Sequence, residues 1–299
     1  MKLELIETFL ATLTHGSIRA AARQMGLSQP GVSRKLRQLE EELGVALLKR
    51  SAQGVTLTVY GEAFARRART IVNETQRAVG EVAQMRGERE GVVRIMLAPA
   101  SSVDWVARAV GLFQRDCPGV RLDIYEGMQE QAVERLRSGS LDFAVSPLWQ
   151  ALPDSEFQAE PLQRMDMAVV TRKDGRFRHC RHLDELISAP WLHVGAGTHV
   201  SPLVVDLFRH FGLSAPPPKM ESYSLTSTLA FLLDSDAVTL LPAKFGRQPL
   251  YADVLTELPI SDPLPTQDLY LVQRRESPLT PTSAILAGHI RRVAMQLAN

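Results

Sequence analysis

Leu3, Ile6, Phe9, Leu10 and Leu13 recur at helical spacing, and His15-Gly16 ends the run. Ser17 is placed to cap a second helix from Ile18 to Met25, whose Ala20-Ala21-Ala22 stretch allows close backbone approach. Gly26-Leu27-Ser28 then makes a tight turn. Ser28 caps a third helix, and Pro30 falls in its first turn, where a missing N–H costs nothing. Val32, Leu36, Leu39 and Leu43 mark the inner face of that helix, leaving Gln29, Ser33, Arg34 and Arg37 on the others; Gly44 stops it.

From Val59 to about Gly87 the chain has no proline and two glycines, Gly61 and Gly80. Phe64, Ala68, Ile71, Thr75, Ala78, Val82 and Met85 alternate by four and three residues, a heptad seam that fits two long helices side by side. A helix lying on its own domain gives a similar pattern. Such a helix would reach about 42 Å.

After Gly91 the pattern becomes short apolar runs alternating with amphipathic stretches. Strands are predicted at Val92–Leu97, Val120–Tyr125 and Leu141–Val145, with helices at Val103–Asp116 and Gln131–Arg137 between them. Strand–helix alternation of this kind predicts a parallel α/β sheet. A second α/β lobe follows, with strands near Met165–Thr171, Trp191–Val194 and Val238–Leu241. The strand Asp268–Val272 and a final helix, Thr282–Leu297, bring the chain back to the first lobe.

Charge is unevenly spread. Residues 1–90 hold 14 Lys/Arg against 10 Asp/Glu, while 91–299 hold 20 against 23. Between Ser17 and Arg50 there are seven basic residues and three acidic ones, the adjacent Glu40, Glu41 and Glu42. A basic end on a mildly acidic body points to nucleic-acid contact through the N-terminal part, although a solvated helical surface gives the same tally. A short helix, a glycine turn and a helix that starts with polar and basic residues place the latter helix in a major groove. Gln29 suits an adenine edge, Arg34 a guanine edge, and Ser33 a base or a phosphate. Lys35, Arg37, Lys49 and Arg50 suit phosphates. A three-helix packing domain with an incidental polar face has the same periodicity.

Hydrophobic residues make up 45% and charged residues 22%, which excludes wholesale disorder. Met1–Glu7 carry charges where a secretory signal needs an apolar core, so none is expected, and no apolar run approaches the ~20 residues of a membrane span. Cys117 and Cys180 are the only cysteines, too few for a disulfide framework, so the expected compartment is the cytoplasm.

Ser17-Ile-Arg-Ala-Ala-Ala-Arg-Gln-Met-Gly-Leu-Ser-Gln-Pro-Gly-Val-Ser33 resembles the signature of LysR-type transcriptional regulators. The resemblance continues through Leu39-Glu40, Leu43-Gly44, Leu47-Leu48, Arg50 and Leu57-Thr58, and again at Leu136–Val145. Ile18 and Met25 stand where the family usually has Phe and Leu, volume-conserving swaps. Gly31 replaces a common Ala, Gln53 an often basic residue, and Asp234-Ser-Asp-Ala237 a frequent Gly-x-Gly. The resemblance implies a multidomain chain: an all-α winged helix-turn-helix at 1–58, a linker and dimerisation helix at 59–89, and a two-lobed α/β effector domain at 90–299, similar to periplasmic binding proteins. Its first lobe would take about 90–161 and 266–299, and its second about 162–265. The candidate DNA-binding residues are Gln29, Pro30, Ser33, Arg34, Arg37 and Arg50.

In open α/β sheets ligands sit beyond the carboxyl ends of strands, often at helix N-termini. Those loops here are Ala98–Ser102, Met128–Glu130, Ser146–Trp149, Gly195–Ser201 and Ser222–Thr226. Each Ser or Thr taken singly is as readily an N-cap. Matched to the family's pocket loops, the candidate effector-binding residues are Ala100, Ser101, Ser102, Gln129, Thr198, His199 and Ser201. With no Lys or Arg in these loops, the expected effector is neutral or singly anionic, and Trp149 and His199 could flank an aromatic ring unless Trp149 is core. His179-Cys180-Arg181-His182 is too crowded to be a good metal site, Cys117 reads as packing, and no cofactor motif appears. The expected function is ligand-modulated promoter binding by a homodimer or homotetramer, acting on RNA polymerase, with neither enzyme activity nor membrane association. A cytosolic enzyme using the cleft, or a constitutive DNA-binding protein, are the alternatives.

Overall fold

The computed structural model describes residues 1–51, 54–99, 105–195, 202–243 and 245–297. They form two compact units, Met1–Gly87 with Arg137–Ser140, and the remainder.

The first unit opens with α1 (Leu3–His15), α2 (Ile18–Gln24) and α3 (Gln29–Leu43). A hairpin of β1 (Leu48–Ser51) and β2 (Gly54–Leu57) follows, then α4 (Val59–Met85). Leu5, Ile6, Phe9, Val32, Leu36 and Leu39 pack into one core, and Phe9 meets Phe64 of α4 edge-on at 5.5 Å. Ser17 Oγ accepts the Ala20 N–H at 3.1 Å and Ser28 Oγ the Gly31 N–H at 3.2 Å, so each hydroxyl covers a donor the helix leaves unpaired. Leu43, expected inside, is 37% exposed because α3 ends at once on Gly44, whose φ of 69° turns the chain away.

Glu40, part of the acidic triplet, is tied into the fold. Its Oε1 accepts the N–H groups of Leu47 at 2.8 Å and Leu48 at 3.1 Å, joining α3 to the first hairpin strand. Glu40→Ala leaves both donors without that partner and is expected to cost about 1.5–3 kcal/mol in urea denaturation, with Glu40→Gln recovering part of the loss.

The seam of α4 has two fates. Ala65 and Ala68 are buried in the unit's own core, whereas Val82 and Met85 are 60% and 76% exposed. The N-terminal half therefore lies on its own domain, and only the rest keeps an uncovered apolar stripe.

The second unit contains β3 (Gly91–Leu97), α5 (Ala107–Asp116), β4 (Val120–Glu126), α6 (Gln129–Arg137) and β5 (Phe143–Pro147). The long β6 (Phe157–Arg172) leads to β7 (Leu192–Val194), α7 (Pro202–His210), β8 (Met220–Ser222), α8 (Leu225–Leu233), β9 (Thr239–Pro242) and β10 (Leu255–Glu257). The chain closes with β11 (Thr266–Arg274) and α9 (Pro281–Leu297). Trp105 and Val106 form a π-type turn into α5; the expected helix start at Val103 and its caps Ser101 and Ser102 lie outside the described residues.

One sheet runs β10-β6-β11-β5-β3-β4, with β9 also paired to β6. It is mixed, not parallel as expected. β3 runs parallel to β4 and β5, but β11 returns between β5 and β6 and is antiparallel to both. β6 serves both lobes. Its residues 157–166 pair with β11 and Met167–Val170 with β9, so the strand expected at Met165–Thr171 is only the second half of a 16-residue element. β3, β5, α5 and α9 enclose one core, where Cys117 is buried and its thiol pushed up by desolvation. Trp191, Phe208, Val169 and Leu186 centre another. No described helix is long and apolar enough to cross a membrane.

Candidate DNA interface and effector cleft

On α3, Gln29, Pro30, Arg34 and Arg37 are exposed and Ser33 is half-buried. Residues 29, 33 and 37 form one row along the helix and 30 and 34 the next, opposite the Val32, Leu36 and Leu39 face packed in the core. Lys35, expected to meet phosphate, instead pairs with Glu4 of α1. Arg50 sits on β1 opposite Val55, Lys49 is exposed, and Gln53 lies outside the described residues.

The hairpin is pinned by glycines. Gly16 O accepts the Val55 N–H at 3.1 Å, and a Cβ on Gly54, at φ 131°, would come within 2.6 Å of that oxygen. Thr58 caps α4 by accepting the Gly61 N–H at 3.0 Å, while its own hydroxyl donates to Ala46 O at 2.7 Å. A polar helix face and a two-stranded wing are thus both held by a packed core. Sequence reasoning missed Glu40, Gly54 and Gly61 as positioning residues; the signal at Gly61 was a glycine in an otherwise unbroken helix.

The second unit holds a cleft with about 590 Å³ of empty space, open solvent at its mouth included. Ala98 and Pro99 beyond β3, and Pro147 and Trp149 at and beyond β5, line one side, together with Met128. Leu192, His193 and Val194 of β7, Leu203 and Val204 of α7 and residues 239–242 of β9 line the other. Met165 and Met167 of the shared β6 complete it with Gln267 of β11. The cleft therefore lies at strand carboxyl ends, as open α/β sheets require. Gly195, at φ 27°, lies against Met128: a Cβ there would fall 2.0 Å from the flexible Met128 Cε, which would have to swing aside.

Of the candidate effector residues, Ala100, Ser101, Ser102, Thr198, His199 and Ser201 lie outside the described residues. Gln129 is buried at the start of α6 and does not line the cleft. Its Oε1 accepts the Trp149 N–H at 2.6 Å and the Gln150 N–H at 3.2 Å, and its Nε2 donates to Gln150 O at 2.8 Å. It thereby holds the loop that carries Trp149. Ser222 turns to its own chain, donating to Ser224 O at 2.9 Å. Trp149 does line the cleft, so it is not core.

His193 was not among the candidates. It is 2% exposed, and among the described residues neither of its ring nitrogens has a hydrogen-bond partner; Trp149 Nε1 is likewise buried without one. Burial pushes the imidazole below its ordinary value, against the smaller opposing pull of Glu221 across the β7–β8 pair. His182 bonds Asp262 at 3.3 Å, and no group of three metal-ligating side chains occurs among the described residues.

Two family models match the chain. Residues 3–62 match the bacterial regulatory helix-turn-helix protein, lysR family, and residues 86–295 match the LysR substrate binding domain. The transcriptional regulator GbpR of Azospirillum brasilense is 31% identical over 243 residues, covering 80% of this chain and 71% of that protein. PcaQ of Agrobacterium fabrum, also a transcriptional regulator, is 27% identical over 99% of this chain and 96% of its own length. Among solved structures, the LysR family regulator CbnR superposes with a TM-score of 0.75 at 21% identity, covering 98% of this chain and 99% of CbnR. CbnR complexed with its target DNA gives a TM-score of 0.74 at 23% identity, covering 98% of this chain and all (100%) of that one. A DNA-binding helix-turn-helix followed by a substrate-binding domain, matched over nearly the whole length, means that the chain belongs to the LysR family of transcriptional regulators.

Proposed function

We propose that this regulator binds promoter DNA through residues 1–58, pairs with a second copy through the linker helix at 59–89, and reads a small-molecule effector in the cleft of residues 90–299. The observation that carries the DNA side is the pair of adjacent rows, Gln29, Ser33 and Arg37 with Pro30 and Arg34, on a helix whose Val32, Leu36 and Leu39 face is used in the core. Gln29 and Arg34 read base edges, with Ser33 beside them and Pro30 opening the helix; Arg37 and Arg50 neutralise phosphates. The uncovered Val82 and Met85 on α4 support pairing as a homodimer, or a homotetramer built from two.

Coupling is by linkage. A ligand that binds one arrangement of the effector domain better than another shifts the placement of the DNA-binding heads, and hence access of RNA polymerase to the promoter. The proposed compartment is the cytoplasm. Gln129 acts on the effector by positioning Trp149, while Ala100, Ser101, Ser102, Thr198, His199 and Ser201 complete the site from the loops beyond the strands.

Equilibrium DNA binding across a salt series tests the reading. The full chain is expected to lose affinity steeply with salt as phosphates release counterions, which a cleft enzyme would not do. Arg34→Ala is expected to lose about 1–3 kcal/mol of discrimination at one base pair per half-site. A uniform loss on all sequences would make Arg34 a phosphate contact instead.

A further inference from the structure

The cleft's chemistry narrows what it takes. We propose that it binds an uncharged, mainly apolar molecule with a hydroxyl or carbonyl head, and that His193 and Trp149 bind that head; this rests on the proposed effector reading of the cleft.

Gln267 also lines the cleft, but the buried polar groups of the described lining that lack partners are on His193 and Trp149. Both His193 nitrogens and Trp149 Nε1 are buried and unbonded, although buried polar groups are nearly always paired. A neutral imidazole offers one N–H and one lone pair, and an indole offers one N–H. A hydroxyl can accept from the imidazole N–H or donate to its lone pair, and a carbonyl can accept from either N–H. Thr239, the other lining hydroxyl, already donates to Leu192 O at 2.6 Å.

The rest of the wall argues against charge. No Lys, Arg, Asp or Glu is among the described lining residues. A carboxylate would surrender its hydration with no side-chain counter-charge among them to replace it. Met128, Met165 and Met167 give instead a soft, polarisable surface that moulds to an aromatic or branched aliphatic body. This restricts the neutral-or-anionic expectation from the loop sequences to the neutral half.

Calorimetric titration of the full-length chain with 2-naphthol, naphthalene and 2-naphthoate tests the assignment. The expected order puts 2-naphthol about tenfold or more ahead of both others, and tenfold corresponds to about 1.4 kcal/mol. His193→Phe should erase the advantage of 2-naphthol over naphthalene, while His193→Gln, which keeps a donor and an acceptor, should retain it. Tightest binding of 2-naphthoate, an unchanged preference in His193→Phe with His193→Gln equally indifferent, or no heat with any probe overturns the proposal. DNA binding measured with the same probes separates this from the regulatory reading. A His193-dependent preference for 2-naphthol with DNA affinity unmoved overturns the regulation and keeps the ligand class. DNA affinity moved by 2-naphthoate alone does the reverse.

Discussion

Alanine at Gly61 is expected to destabilise the N-terminal unit by about 3 kcal/mol, the upper part of the range for overpacking, and to take sequence-specific DNA binding with it. The cause is backbone proximity and not dihedral freedom, since Gly61 lies inside a helix. A Cβ there would stand 2.1 Å from Leu47 O and 2.9 Å from Leu57 Cδ2. The oxygen has little room to retreat, because it accepts the Thr58 N–H at 3.0 Å at the joint between hairpin and α4. Relief would have to come from moving the first turn of α4 off the hairpin, which misplaces the wing relative to α3. Urea unfolding of the full chain and a DNA-binding isotherm measure both effects. Gly80→Ala is the control: a Cβ there meets nothing within 4 Å, so alanine should be neutral or stabilising by up to about 1 kcal/mol.

The second large effect falls on the other unit. Trp191→Ala is expected to cost about 3–5 kcal/mol, the usual range for truncating a buried aromatic to alanine. Trp191 is fully buried, its ring meets Phe208 edge-on at 5.5 Å, and its Nε1 donates to Leu186 O at 2.9 Å. The variant loses the ring and leaves that carbonyl without its side-chain donor. Because β7 begins at the next residue and carries His193, hydrogen exchange should rise across residues 192–194 together with the loss of probe binding. The separate core around Phe9 and Leu36 should stay protected, and DNA binding with it. Trp191→Phe should recover most of the packing and fail to recover the hydrogen bond.

The contrast between the two units shows where sequence patterns carry structure. α1 to α3 were legible because each signal is local: a 3.6-residue apolar period, a serine at the N-caps of α2 and α3, Pro30 in a first turn and Gly44 at an end. The first half of β6 was not, because Gln158, Glu160, Gln163 and Arg164 break the apolar run there while the backbone still pairs along β11. Sheet direction was misread for a related reason. That β11 enters between β5 and β6 is decided by the return path of the chain, which no local window contains.

Strand ends located the cleft, but not the groups that line it. The sequence-based candidates were mostly Ser and Thr in the loops, whereas the described wall is mainly Met, Leu, Val and Pro, with Trp149, His193, Thr239 and Gln267 as its polar members. His193 occupies an ordinary position in a short apolar strand; only packing reveals that both nitrogens lack partners. Gln129 was singled out by position, and the described contacts give it work at one remove, through the Trp149 loop. Nothing local in the sequence pairs Glu40 with Leu47 and Leu48, so its structural role was not legible there.

The central claim is that one chain couples a ligand in the cleft to DNA held by α3. Footprinting the full chain on the DNA upstream of its own coding sequence, with and without a panel of phenols, small carboxylates and sulfonates, tests it most directly. The account predicts a protected region that shortens or shifts with a compound of the panel, and that stays fixed with the same compound in His193→Phe. A footprint indifferent to every compound would contradict the coupling, and the absence of any footprint would contradict DNA recognition by α3 itself.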